Sequence, residues 1–123
     1  MRVILLSLSL LVIVSNAWAE PSWDKLADAI YLAEGGAKTS HPYGILAKYK
    51  HTTPRQACLN TIKHKYGDWV KFGSNGDFIE YLGSKYAPIN CANDPTGLNR
   101  NWVKNVKRLY RTGLDKYSNE RYT

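Results

Sequence analysis

Several residue types are scarce in this chain. Of 123 residues, two are cysteine, one is methionine, two are phenylalanine and five are proline. Two thiols exclude a disulfide-dense scaffold, and the composition excludes a collagen, a coiled coil and a disordered tail. No glycine-rich phosphate loop occurs, and no Ser/His/Asp arrangement has supporting spacing. His41, His51 and His64 show no ligand spacing with cysteine or aspartate, so neither a metal nor a cofactor is expected. Past residue 19, no apolar run approaches the ~20 residues that a membrane-crossing helix needs. Nowhere do four residues alternate cleanly between apolar and polar, which limits strands to a short hairpin at most.

What is there begins with a leader. Met1-Arg2 is a short positive start, Val3 to Val14 is almost wholly apolar, and Ala17-Trp18-Ala19 offers the small residues of a cleavage site. Residues 1–19 therefore read as a signal peptide and 20–123 as one domain. The expected location is exported, periplasmic or secreted. Export makes a Cys58–Cys91 disulfide the simplest use of the two cysteines. Closing that loop of about 33 residues would stabilise the fold by roughly 3–4 kcal/mol on the chain-entropy model.

The net charge is +7, and of the basic residues only Arg2 falls in the leader. A cationic exported chain points toward anionic partners such as cell-wall polymer or a lipid surface. Arg100, Lys104, Lys107, Arg108 and Arg111 recur at helical spacing. They form either one solvated face or a contact for an anionic envelope polymer.

The periodic signals are helical. Ser22 can cap a first helix whose stripe is Trp23, Ala27, Ile30 and Ala33, stopped by Gly35-Gly36. Thr53-Pro54 opens a second, carrying Cys58, Ile62, Tyr66, Trp69 and Val70 and weakened by Gly67. Asp77 caps a third with Phe78, Ile79, Leu82 and Tyr86. Asn99 or Asn101 opens a fourth with Trp102, Val106, Leu109 and Tyr110 inward. The expected fold is a small, mostly α single domain.

Glu34 is the residue that asks for a chemical explanation. It follows Ile30 by four and Ala27 by seven, so it extends the apolar stripe rather than the wet face. It also sits in the last helical turn, where the helix dipole disfavours a carboxylate. Burial and dipole both raise its pKa, and a carboxyl protonated near neutral pH suits a general acid. The bland alternative is a helix-ending glutamate turned to solvent.

Ala33-Glu34-Gly35-Gly36 at a helix end, followed by Tyr43-Gly44-Ile45-Leu46, resembles the lysozyme-like lytic transglycosylases. Tyr86-Ala87, then Asn93-Asp94-Pro95, then Asn101-Trp102, is similar to a segment of the related glucosaminidases. Gly35 stands where those enzymes carry serine, Ala47 where they carry glutamine, and their Ala-Tyr-Asn-Ala-Gly motif is absent. The resemblance implies a lysozyme-like fold that cleaves the bond between N-acetylmuramic acid and N-acetylglucosamine in peptidoglycan. Glu34 would be acid and then base. The backbone of Tyr43, Gly44, Ile45 and Leu46 would line the sugar cleft, and Tyr86 would orient the substrate's acetamido group or the acid. Peptidoglycan strands are the implied partner of a monomeric chain.

Three other readings stay open. A non-catalytic wall-binding module could keep this fold, and the Gly35 and Ala47 departures would then mark lost activity. A hydrolase of lysozyme or glucosaminidase type would need a second carboxylate, for which Asp77, Glu80 and Asp94 are available. A nucleic-acid binder is disfavoured by export and by the lack of a known motif.

Overall fold

The computed structural model describes residues 20–92, 94 and 97–121, with side chains as far as Thr112. The leader expected over residues 1–19 lies outside the described residues, as do Asn93 and Pro95. The chain is mostly helical and folds as a small single domain. Its helices are α1 (Trp23–Ala33), α2 (Pro54–Lys71), α3 (Phe78–Tyr86) and α4 (Trp102–Arg121). Short 3-10 turns at Gly36–Lys38, Pro42–Gly44 and Leu98–Asn101 connect them. No strand occurs among the described residues, so the hairpin allowed in the first long loop is replaced by two of these turns. No helix among them is long and apolar enough to cross a membrane.

Three of the four helices start on a side-chain cap that satisfies an otherwise orphaned amide. Ser22 Oγ accepts from Lys25 N at 3.4 Å, Thr53 Oγ1 from Gln56 N at 3.1 Å, and Asp77 Oδ1 from Glu80 N at 3.0 Å. The fourth start differs from the expectation. Neither Asn99 nor Asn101 caps α4; a 3-10 turn entered through Gly97 runs directly into it. Gly67 does not interrupt α2, because its surroundings are open and the cost of ~1 kcal/mol relative to alanine is borne by the packed neighbours.

α1 packs across α4 and α2, and α3 closes against α2 and α4. Leu26, Ile30, Cys58, Ile62, Leu82 and Val106 have essentially no exposure, and all four helices contribute to this core. Burying each large aliphatic side chain contributes roughly 1.5–3 kcal/mol before entropy is set against it. An aromatic cluster joins the start of α1 to the end of α2 and the start of α3. Tyr66 meets Trp23 at 5.2 Å and Phe78 at 5.1 Å between ring centroids, both edge-on. Val70, expected in the second stripe, is instead 48% exposed, because the α2 stripe turns onto Trp69 in its last turn.

α3 and α4 approach closely at one position. A Cβ on Gly83 would lie 2.6 Å from Val103 Cγ2 and 3.2 Å from Trp102 Cε3. Only glycine fits there. That contact brings Tyr86, one turn further along α3, against the indole of Trp102.

The expected Cys58–Cys91 disulfide is not formed: both cysteines are free thiols. Cys58 points into the core from α2 and contacts the Tyr86 hydroxyl, while Cys91 lies half-buried on the loop after α3.

Candidate active site

Glu34 forms the C-terminal cap of α1. Its amide bonds back to Ile30 O at 3.0 Å, and Gly35 then turns left-handed with φ 107°, which ends the helix. There the carboxyl enters a cleft of about 440 Å³. Glu34, Thr39, His41, Gly44 and Leu46 line it together with Tyr86, Ala87, Pro88, Cys91 and Asn99.

Two contacts hold the carboxyl. Trp102 Nε1 donates to Glu34 Oε1 at 2.7 Å. On the opposite side the backbone of Gly44 presses against it: a Cβ there would sit 2.8 Å from both Cδ and Oε2 of Glu34. Gly44 has φ +67°, so its conformation and its proximity both favour glycine. Burial pushes the Glu34 carboxyl above the ordinary glutamate range, and the Trp102 N–H, which favours the charged form, opposes part of that rise. The result is a positioned carboxyl whose pKa is raised by burial.

A hydrogen-bonded ring fixes these contacts. The Tyr86 ring stacks on Trp102 with centroids 5.5 Å apart and planes at 27°. Its hydroxyl donates a short bond to Tyr43 O, the carbonyl immediately before Gly44. Tyr43 holds a left-handed φ of 61°. Its own hydroxyl accepts from Arg55 Nη1 at 3.1 Å, and the same nitrogen reaches Asp28 Oδ1 at 2.7 Å. Arg55 thus ties α1, α2 and the Pro42–Gly44 turn together. Burial raises the Tyr86 phenol far above its usual value, so it stays a neutral donor. Burial likewise pushes the Cys58 thiol up to about 11.

The expected site residues divide. Glu34, Gly44, Leu46 and Tyr86 do line the cleft. Tyr43 contributes its backbone, whose carbonyl accepts from Tyr86, while its ring is buried at 8% exposure and packs on Tyr31 at 5.2 Å. The Ile45 side chain likewise packs on the core. The left-handed turn at Tyr43 explains both, because it rotates those two side chains away while presenting the Gly44 backbone.

None of the three available second carboxylates faces Glu34. Asp77 and Glu80 both engage Lys107, at 3.5 and 3.2 Å. Asp94 is buried and accepts from the amides of Asn90 and Asn99, each at 3.1 Å, which closes the loop carrying Cys91 and Asn99. Glu34 is the one carboxylate among the cleft-lining residues described. The same Lys107 pairing corrects the five-cation face. Lys107 folds onto α3 and Arg100 lies in the 3-10 turn, leaving Lys104, Arg108 and Arg111 exposed on α4. No group of three histidine, cysteine or acidic side chains that could hold a metal occurs among the described residues.

Sequence reasoning placed Trp102 in the core and overlooked Thr39, His41, Asn99 and Arg55. For Trp102 a signal existed, since a buried indole N–H needs an acceptor. The others carry no spacing that would reveal them. No protein-family model matches this chain, and no curated protein or solved structure matches it.

Proposed function

We propose that the chain is an exported lytic transglycosylase of the lysozyme-like type, cleaving peptidoglycan strands with Glu34 as acid and then base. The observation that carries this reading is a single half-buried carboxyl, held by Trp102 and Gly44, in a cleft with no second carboxylate among its described lining residues. Hydrolysis of a glycoside ordinarily uses two carboxyls, ~5–5.5 Å apart for a covalent step or ~6.5–9.5 Å apart to seat a water. Intramolecular attack needs only one.

In that mechanism Glu34 gives its proton to the glycosidic oxygen as the bond from C1 of N-acetylmuramic acid breaks. The substrate's acetamido oxygen stabilises C1. The 6-hydroxyl of the same sugar then bonds to C1 and returns its proton to the Glu34 carboxylate. No water is consumed, and the product ends in a 1,6-anhydro ring. Tyr86 acts as a positioning residue, since its hydroxyl is committed to Tyr43 O and its ring to Trp102. Exposed Lys104, Arg108 and Arg111 suit retention on an anionic wall polymer.

The decisive measurement is the mass of muropeptides released from purified sacculi. Products one water lighter than hydrolytic ones, with no reducing end, are expected. Reducing muramic acid or reducing N-acetylglucosamine would overturn the transglycosylase reading in favour of a hydrolase. Retention on sacculi without any release would leave a non-catalytic binding module.

A further inference from the structure

We propose that a second basin, adjoining the cleft, receives the short peptide branch carried by the sugar bound beside Glu34. This rests on the function proposed above, because it names a substituent of that substrate. The basin lies between α3 and α4 and has a volume of about 260 Å³. Ala87, Pro88 and Asn99 line both it and the cleft, so the two spaces adjoin and a group branching from a sugar in one lies next to the other.

The lining chemistry selects the occupant. No aromatic ring lines the basin, whereas sugar faces are best received on rings. A further hexose is therefore a poor fit. The floor is apolar and rigid, set by Val103 against Gly83 where α3 and α4 make their closest approach. Ile89, 57% exposed, adds an apolar wall that faces the basin rather than the core. Ionised groups of both signs stand at the rim. Glu80 is there, and so is Arg100, whose Nε donates to Gly97 O at 2.8 Å. Small apolar side chains below and carboxylate and ammonium groups above are the chemistry of a short peptide.

The test compares two substrates: glycan strands with peptides intact, and the same strands stripped of peptide by an amidase. The wild type is expected to show kcat/KM about tenfold higher on the intact strands, within what one charge-assisted contact supplies. Arg100→Glu, which reverses the rim charge, and Ser84→Trp, which fills the basin from an exposed position on α3, should each bring that ratio toward one. Melting curves identify a variant that has failed to fold, and the other variant then carries the comparison. Equal wild-type rates on both strands, or ratios unchanged in folded variants, would overturn the basin's role while leaving Glu34 catalysis standing. Should neither strand be cut, the catalytic reading fails separately. Binding of the two strands to the Glu34→Gln protein then decides the basin, with equal affinities counting against it.

Discussion

The indole N–H of Trp102 meets the carboxyl of Glu34 at 2.7 Å although the two residues stand 68 positions apart in the chain. This bond couples the first residue of α4 to the cap of α1 and selects the orientation of the candidate acid. Because the donor favours the charged carboxylate, its removal should raise the Glu34 pKa further. Trp102→Phe is thus expected to move the alkaline limb of the pH–rate profile to higher pH. A looser carboxyl should also lower kcat, by up to about 10²-fold for a displacement near 1 Å. A profile that stays in place would separate Trp102 from the chemistry.

Glu34→Gln should cost ~10²–10⁴ in lytic rate, the usual contribution of a general acid. Stability should change in the opposite direction at neutral pH. The folded protein holds the Glu34 proton more tightly than the unfolded chain does, so ionisation penalises the fold as pH rises through the shifted pKa. Glutamine escapes that penalty and can still accept from Trp102. The variant's melting temperature relative to wild type should therefore climb as pH rises from the ordinary glutamate value of 4.5 through the raised one. A difference that is flat with pH would argue against a buried carboxyl.

Gly44→Ala tests the close approach on the other side of the acid. A left-handed φ costs a non-glycine residue roughly 1–2 kcal/mol, and the added methyl would lie 2.8 Å from the Glu34 carboxyl. The carboxyl is the free end of a flexible side chain, so it will swing aside. Lytic activity should fall much further than stability does, as read from kcat beside a urea midpoint. Loss of both in proportion would make Gly44 a folding residue only.

The two thiols should react unequally. Cys58 is buried and burial pushes its pKa up to about 11, so very little reactive thiolate forms at neutral pH. Cys91 borders the cleft. Native protein treated with a maleimide should take one label, on Cys91, and a second only after denaturation. Equal labelling rates would contradict the burial of Cys58. Absence of any label after denaturation would show that export oxidises the pair.

Much of the fold was legible in the residues. Ser22, Thr53 and Asp77 announce three helix starts because a short polar side chain before an apolar period serves a local need, an amide three residues away. Glu34 was legible for a similar reason, since helical periodicity alone put it on the buried stripe. Local chemistry also marked Gly35 as the stop that frees its side chain.

Tertiary structure decided the rest. The left-handed turn at Tyr43 sends that ring and Ile45 inward, and no local spacing encodes it; Arg55 and the Tyr86 hydroxyl impose it from other elements. Lys107 shares a helical face with Lys104 on paper, yet the packing of α3 on α4 gives it two carboxylates and removes it from that face. Asp94 resembles a site carboxylate and proves to be the hub of a loop, because two amides converge on it. Periodicity and caps act within one turn of chain, so sequence determines them alone. The partner of a buried indole or the neighbour of a glycine is supplied by a different helix, and only the packed fold selects it.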